Sequence, residues 1–303
     1  MSPMTTLVGA AATAALLVTG CAHNQPPQGQ SGPTTAEVSS ASQADPAQPA
    51  DVNGNGKPDG DPSDGDWPGK MTVVYEDATT PEAVKGRQAM EDDNLLPQLA
   101  DDINDTLKLP YDIPIKGTQC GEANDYWSSD DKAITLCYED VTNSLDIFSK
   151  LGDADPGKSA FNAALESFYH EVGHMVIDVY DLPATGREED AADQVSAFLL
   201  LRPNADGTID GDYVDAIIDT ARWYRESSAE NGDQVDDSAL ADVHSPDKAR
   251  MYNFECWAYG ADPSHSEGLI TDGLLPEDRA DGCADEYAKL RKAWSTLLDP
   301  YLK

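Results

Sequence analysis

Ser167-Phe-Tyr-His170-Glu171-Val-Gly-His174-Met-Val-Ile177 holds the pattern H-E-x-x-H, with uncharged residues filling its gaps. On an α-helix, positions four apart lie one turn apart on one face, so the imidazoles of His170 and His174 can grip one metal ion. Glu171 then turns toward the same ion. Two neutral nitrogens and a nearby carboxylate that can take a proton from water form the donor set of a zinc hydrolase. The chain has five histidines, two of them inside this window. The window lies within the apolar helical pattern Phe161, Leu165, Phe168, Val172, Val176, Val179. An imidazole without a partner would be costly there.

Outward from this helix, the periodicity predicts strands over 71–75, 113–120 and 132–138, and a helix over 81–107 that opens on Pro81. Further helices are expected over 141–151, 158–180, 187–201, 209–229, 246–259 and 284–298. A small sheet followed by a run of helices is an α+β arrangement. The strand at 132–138 is a candidate edge along which an extended peptide could align.

A catalytic zinc usually keeps three protein ligands and one open position. The metzincin extension of the pattern needs a glycine three places after His174 and a histidine three places beyond, where Ile177 and Tyr180 stand. The next helix instead opens Gly186-Arg187-Glu188-Glu189-Asp190-Ala-Ala-Asp193-Gln194. Carboxylates this crowded repel one another unless a cation or solvent relieves them, although acids at a helix start also suit its dipole. Glu189 and Asp193, four apart, share a face. Glu189 is therefore the expected third ligand, with Asp193 accepting the second ring N–H of a histidine ligand, His170. Glu188 takes the ligand's place if the helix starts one residue differently, and Asp193 is the other alternative ligand.

Glu189-x-x-x-Asp193 placed after His170-Glu171-x-x-His174 resembles the gluzincin class of zinc metallopeptidases, whose third ligand is the Glu of a downstream E-x-x-x-D helix. The stretches 170–179 and 182–194 are similar to a bacterial family of exported proteins regarded as metallopeptidases of unknown function. The similarity extends to Cys120-Gly, 136–139, His244-Ser-Pro and 256–260. It implies a zincin-like fold, one zinc ion and a peptide or protein substrate. The connection from His174 to Glu189 is shorter than in better-known gluzincins. His244, just before a Ser-Pro helix start, is either a plain loop residue or a donor to the oxyanion of a tetrahedral intermediate. Arg250 and Tyr252 are weaker candidates for that donor. His265 reads as an exposed loop residue and Asp178 as a solvated helix face.

The first twenty residues carry an apolar run from Leu7 to Val18 and lead into Val18-Thr-Gly-Cys21. The run is too short for a comfortable membrane span. It resembles a bacterial lipoprotein signal peptide cut before a lipid-bearing Cys21, although no Lys or Arg precedes it. A plain secretory signal is the alternative. Residues 21–67 are rich in Gln, Pro, Ser, Gly and Asp and read as a disordered tether, leaving 68–303 as one folded domain. Within the tether, Asp51–Asp59 imitates the front of a calcium loop, but Pro62 stands where the bidentate Glu belongs, so an acidic linker is the better reading.

The formal net charge is -36, from 56 acidic and 20 basic residues. Such a chain repels nucleic acid and anionic lipid and is expected to stay monomeric, touching a membrane only through its anchor. Apart from Cys21, Cys120, Cys137, Cys256 and Cys283 make an even set, expected as the local disulfides 120–137 and 256–283 of an extracytoplasmic protein. The expected function is a surface-anchored zinc metallopeptidase with Glu171 as general base. A zincin-fold lipoprotein that binds without turnover is the alternative.

Overall fold

The computed structural model describes residues 67–230, 235 and 237–303. The signal-like segment, Cys21 and the loop 51–59 lie outside the described residues. The architecture is α+β, as the element pattern predicts: a four-stranded mixed sheet followed by a mostly helical remainder.

Strand β1 (Met71–Tyr75) leads into α1 (Pro81–Asp92) and α2 (Leu95–Thr106), then β2 (Ile113–Thr118), β3 (Tyr126–Ser128) and β4 (Ala133–Cys137). The helices α3 (Tyr138–Leu151), α4 (Pro156–Val179), α5 (Glu188–Leu200), α6 (Gly211–Glu230), α7 (Asp237–Ala241) and α8 (Asp247–Ala261) follow. Two single turns, α9 (Gly268–Thr271) and α10 (Glu277–Ala280), precede α11 (Cys283–Leu298).

The expected helix over 81–107 is two helices. Thr80 caps α1 by accepting the Ala83 N–H at 3.2 Å, and the chain then breaks at Asn94, whose φ of 51° is left-handed. A residue in that conformation cannot continue a right-handed helix. Asn tolerates it better than most.

The strand order is β1-β2-β4-β3. Strands β1, β2 and β4 run parallel, with Met71 beside Ile113 and Ile115 beside Ile134. Strand β3 is antiparallel to β4, with Trp127 opposite Ile134. The expectation that the strand over 132–138 forms an edge is therefore corrected. All five residues of β4 are buried, and β3, too short to show an alternating pattern, occupies the edge instead.

Helix α4 starts on Pro156, with Asp155 accepting the Lys158 N–H at 3.1 Å. It runs through the centre of the molecule with α3, α5 and α6 packed around it, and His170 and Glu171 are buried within it. Cys120 pairs with Cys137, joining the ends of β2 and β4, and Cys256 pairs with Cys283, tying α8 to α11. Both are the local pairings expected from the sequence. No helix among the described residues is long and apolar enough to cross a membrane.

Candidate active site

Helix α5 packs closely on α4 at the motif itself. A Cβ on Gly173 would lie 2.7 Å from the Ala192 Cα and 2.9 Å from its carbonyl oxygen. Only a glycine between the two histidines lets the helices approach this far. The start of α5 is acidic, with Glu188, Glu189 and Asp190 in its first turn, where the helix dipole favours negative charge. The close approach sets that acidic turn against the imidazoles of α4.

Ligand-capable atoms of His170, His174 and Glu189 lie within 4.8 Å of one another. Glu189 Oε2 is 3.2 Å from Nε2 of His170 and 3.2 Å from Nε2 of His174. The two Nε2 atoms are 3.2 Å apart. Each histidine keeps its other nitrogen for a carboxylate. His170 Nδ1 is 2.8 Å from Asp193 Oδ1, and His174 Nδ1 is 2.9 Å from Glu188 Oε1. A ring that donates from Nδ1–H presents a lone pair at Nε2, the tautomer that binds a metal. The donor chemistry therefore fits a divalent cation at the shared point.

The Asp193 partnership is the one the sequence spacing suggests. The Glu188 partnership is not: the sequence leaves Glu188 as an alternative ligand, whereas its carboxylate lies beside the ring nitrogen of His174 turned away from the shared point.

Glu171 is buried, and its Oε2 accepts the Trp127 N–H of β3 at 2.7 Å. The outer edge of β3 thus borders the motif helix. Trp127 also donates its indole N–H to Asp178 at 3.0 Å, so the exposed Asp178 braces that edge and stands apart from the ligand-capable group.

His244 comes to the same place from the segment before α8. Its Nε2 is 3.0 Å from Glu189 Oε2, and its Nδ1 is 3.0 Å from Asp242 Oδ1. It is not among the three converging residues and approaches the Glu189 carboxylate as a separate neighbour. Arg250 does not reach this face. It is buried and grips Asp193, with Nε 2.8 Å from Oδ2 and Nη2 2.5 Å from Oδ1, and its guanidinium lies 4.4 Å from the Tyr224 ring centroid. Tyr252 packs against the core, and His265 binds Asp215 at 2.7 Å on the exposed surface.

The electrostatics follow from this crowding. Burial opposes a charged imidazole at His170, but the Asp193 and Glu189 carboxylates outweigh it and push its pKa up to about 10. His174 behaves likewise: Glu188 and Glu189 overcome burial and push it up to about 9. Burial alone would raise Glu189, yet the three imidazoles hold it far below the carboxylate range. Asp193 is likewise held down, to about 2, because Arg250 and His170 outweigh its burial. Beneath it, Glu166 accepts a hydrogen bond from Ser196 at 2.5 Å and is pushed up to about 7 by burial and by the Asp193 charge. The balance is that of a site that holds positive charge among buried carboxylates.

The sequence points to His170, Glu171, His174, Glu189 and Asp193, and the fold brings them together. It does not reveal the Trp127 N–H, the Glu188 contact or the grip of Arg250 on Asp193. Those depend on how β3, α5 and α8 meet α4, and no short pattern encodes that.

Two ligand-capable histidines and a glutamate on adjacent helices, beside a buried second glutamate, define a class of H-E-x-x-H metal-binding proteins. The chain belongs to the DUF4344 family, described as putative metallopeptidase, whose model matches residues 75–298. No curated protein and no solved structure matches the chain.

Proposed function

We propose that the chain is a zinc-dependent metallopeptidase that cleaves peptide bonds outside the cytoplasm. The observation that carries this reading is the convergence of His170 Nε2, His174 Nε2 and Glu189 Oε2 within 4.8 Å, with the buried carboxylate of Glu171 one residue from the first of them. His170, His174 and Glu189 would hold the zinc. When bound, zinc supplies Lewis acidity, lowering the pKa of water and polarising a carbonyl.

The remaining steps belong to the protein. Glu171 takes the proton of the attacking water and hands it to the leaving amine. Its hydrogen bond from Trp127 fixes the carboxylate for both transfers. Asp193, clamped by Arg250, keeps His170 in the tautomer with a free Nε2, and Glu188 does the same for His174. His244, oriented by Asp242 through its Nδ1–H, would donate from Nε2 to the oxyanion of the tetrahedral intermediate as an imidazolium, with hydrogen on both ring nitrogens.

Both disulfides suit an oxidising compartment. Together with the lipoprotein-like start of the chain, they support a protein held at the outer face of a membrane by lipid on Cys21.

Glu171→Gln tests the mechanism. Gln can still accept the Trp127 N–H but cannot take a proton. Zinc near one equivalent should remain, while hydrolysis of a mixed peptide library falls by at least about 10³-fold. Zinc binding without turnover in the unaltered protein would favour the scaffold alternative. Turnover that survives the substitution would remove Glu171 as the base.

A further inference from the structure

His244 reaches the site on a segment with little apolar anchoring. None of the residues of α7 is buried, and Leu240 and Val243 are 56% and 57% exposed. Hydrophobic burial, the usual reason a loop residue stays in place, is therefore weak here. The imidazole of His244 nevertheless lies 3.0 Å from Glu189, with only 16% of its side chain exposed.

Besides the His244 contact itself, the Arg187 side chain bridges this segment to the metal-site helix. Arg187 Nη1 donates to the His244 carbonyl at 2.6 Å, and Nη2 donates to the Leu240 carbonyl at 3.0 Å. Both acceptors are backbone, so the bonds fix the course of the chain across 240–244 rather than one rotamer. Arg187 is also the N-cap of α5, and its own carbonyl accepts the Ala191 N–H at 3.2 Å. The residue is thus built into the helix that begins Glu188-Glu189. The planar fork of a guanidinium suits two carbonyls at once, whereas a lysine ammonium is a single point on a flexible stem.

We propose that Arg187 is a positioning residue, latching the 240–244 backbone to the start of α5 so that His244 Nε2 is held beside Glu189, at the position of the oxyanion. The proposal rests on the peptidase reading for its catalytic consequence. The latch itself is independent of zinc and of turnover. Arg187 does not touch the substrate, and its effect passes entirely through His244.

The test combines Arg187→Ala, Arg187→Lys, His244→Ala and the double variant Arg187→Ala/His244→Ala, each assayed on a peptide cleaved by the unaltered protein. Arg187→Ala should lower kcat about 10- to 100-fold with KM changed by less than about threefold, as expected when a group is misplaced by about an ångström. Zinc content should stay near one equivalent. Arg187→Lys, able to reach one carbonyl, should recover part of the loss. In the His244→Ala background, Arg187→Ala should cost less than about twofold further, because the group it positions is gone.

Hydrogen exchange gives a readout apart from activity. The backbone amides of 237–244 should exchange at least about tenfold faster in Arg187→Ala, with and without zinc, while those of α4 stay unchanged. Fully additive losses in the double variant, or unchanged exchange in 237–244, would overturn the proposal. If no peptide is cleaved by the unaltered protein, the peptidase reading fails and the exchange experiment alone decides the latch. If Arg187→Ala does not fold, Arg187→Lys carries both arms at reduced amplitude.

Discussion

One carboxylate oxygen of Glu189 lies 3.2 Å from Nε2 of both His170 and His174 and 3.0 Å from Nε2 of His244. At Asp125, burial decides the charge instead. Asp125, just before β3, accepts the Cys137 N–H at 2.8 Å and the Ser167 hydroxyl at 2.7 Å. Those bonds favour its ionised form, but burial and the nearby Asp140 charge push its pKa well up. Burial pushes Asp140 itself up to about 6. Glu171, from α4, adds a further repulsive charge facing Asp125. A carboxyl raised on folding binds its proton more tightly in the native state. Its stabilising effect is complete below the unfolded value near 3.9 and is lost as pH rises through about 6. An asparagine at position 140 cannot ionise, so Asp140→Asn should gain up to about 3 kcal/mol over the unaltered protein at pH 7, with the gain shrinking toward pH 4. Urea melts of both proteins at several pH values measure this difference, which cancels the slopes of other carboxylates. A gap that stays constant with pH would show that the pair does not carry this strain.

At the scale of elements, the site is a contact between two helices. Helix α4 supplies His170, Glu171 and His174, and α5 supplies Glu188, Glu189 and Asp193. The gap between them is set by Gly173 against Ala192. Gly173→Ala favours the helix by propensity, by roughly 1 kcal/mol, but its methyl group would meet backbone atoms that cannot rotate away. Overpacking of this kind typically costs about 1–3 kcal/mol, and relief requires α5 to retreat, taking Glu189 with it. The substitution should lower the melting temperature and weaken zinc binding at least about tenfold in a competition titration with a chelator. Unchanged zinc affinity would mean that the helix contact does not set the ligand geometry. Both helices are legible in the sequence because each carries a long periodic pattern and a motif with fixed spacing. Less legible are β3, whose three residues give no alternation, and the break at Asn94, where a left-handed residue interrupts an otherwise continuous helical pattern. The same reason hides α7: a five-residue helix with no buried position has no periodicity to read.

Over the whole molecule, the α+β order and both disulfide pairings are legible from the pattern of elements and the cysteine spacing, whereas the meeting of α8 with α5 is not. Arg250 and Asp193 stand 57 positions apart, and no local rule joins them. Global charge, by contrast, is fully legible and carries its own consequence. With 56 acidic and 20 basic residues, acids must outnumber the cations available to them. Several cations are already committed to buried or partly buried carboxylates, as Arg250 is to Asp193, Arg222 to Asp153 and Arg225 to Glu255. The excess acids repel one another across the surface, which favours the expanded chain. Salt screens this repulsion, with a Debye length that falls from about 30 Å at 0.01 M to about 10 Å at 0.1 M. The few buried pairs are screened much less. Raising sodium chloride from about 10 to 300 mM should therefore raise the melting temperature of the protein by several degrees, on the order of 1–2 kcal/mol for a domain of this size. Lowering the pH toward 5 at low salt should act in the same direction as surface carboxylates begin to take up protons. A melting temperature that falls with salt would mean that attractive surface pairs, rather than the acidic surplus, dominate the stability of this fold.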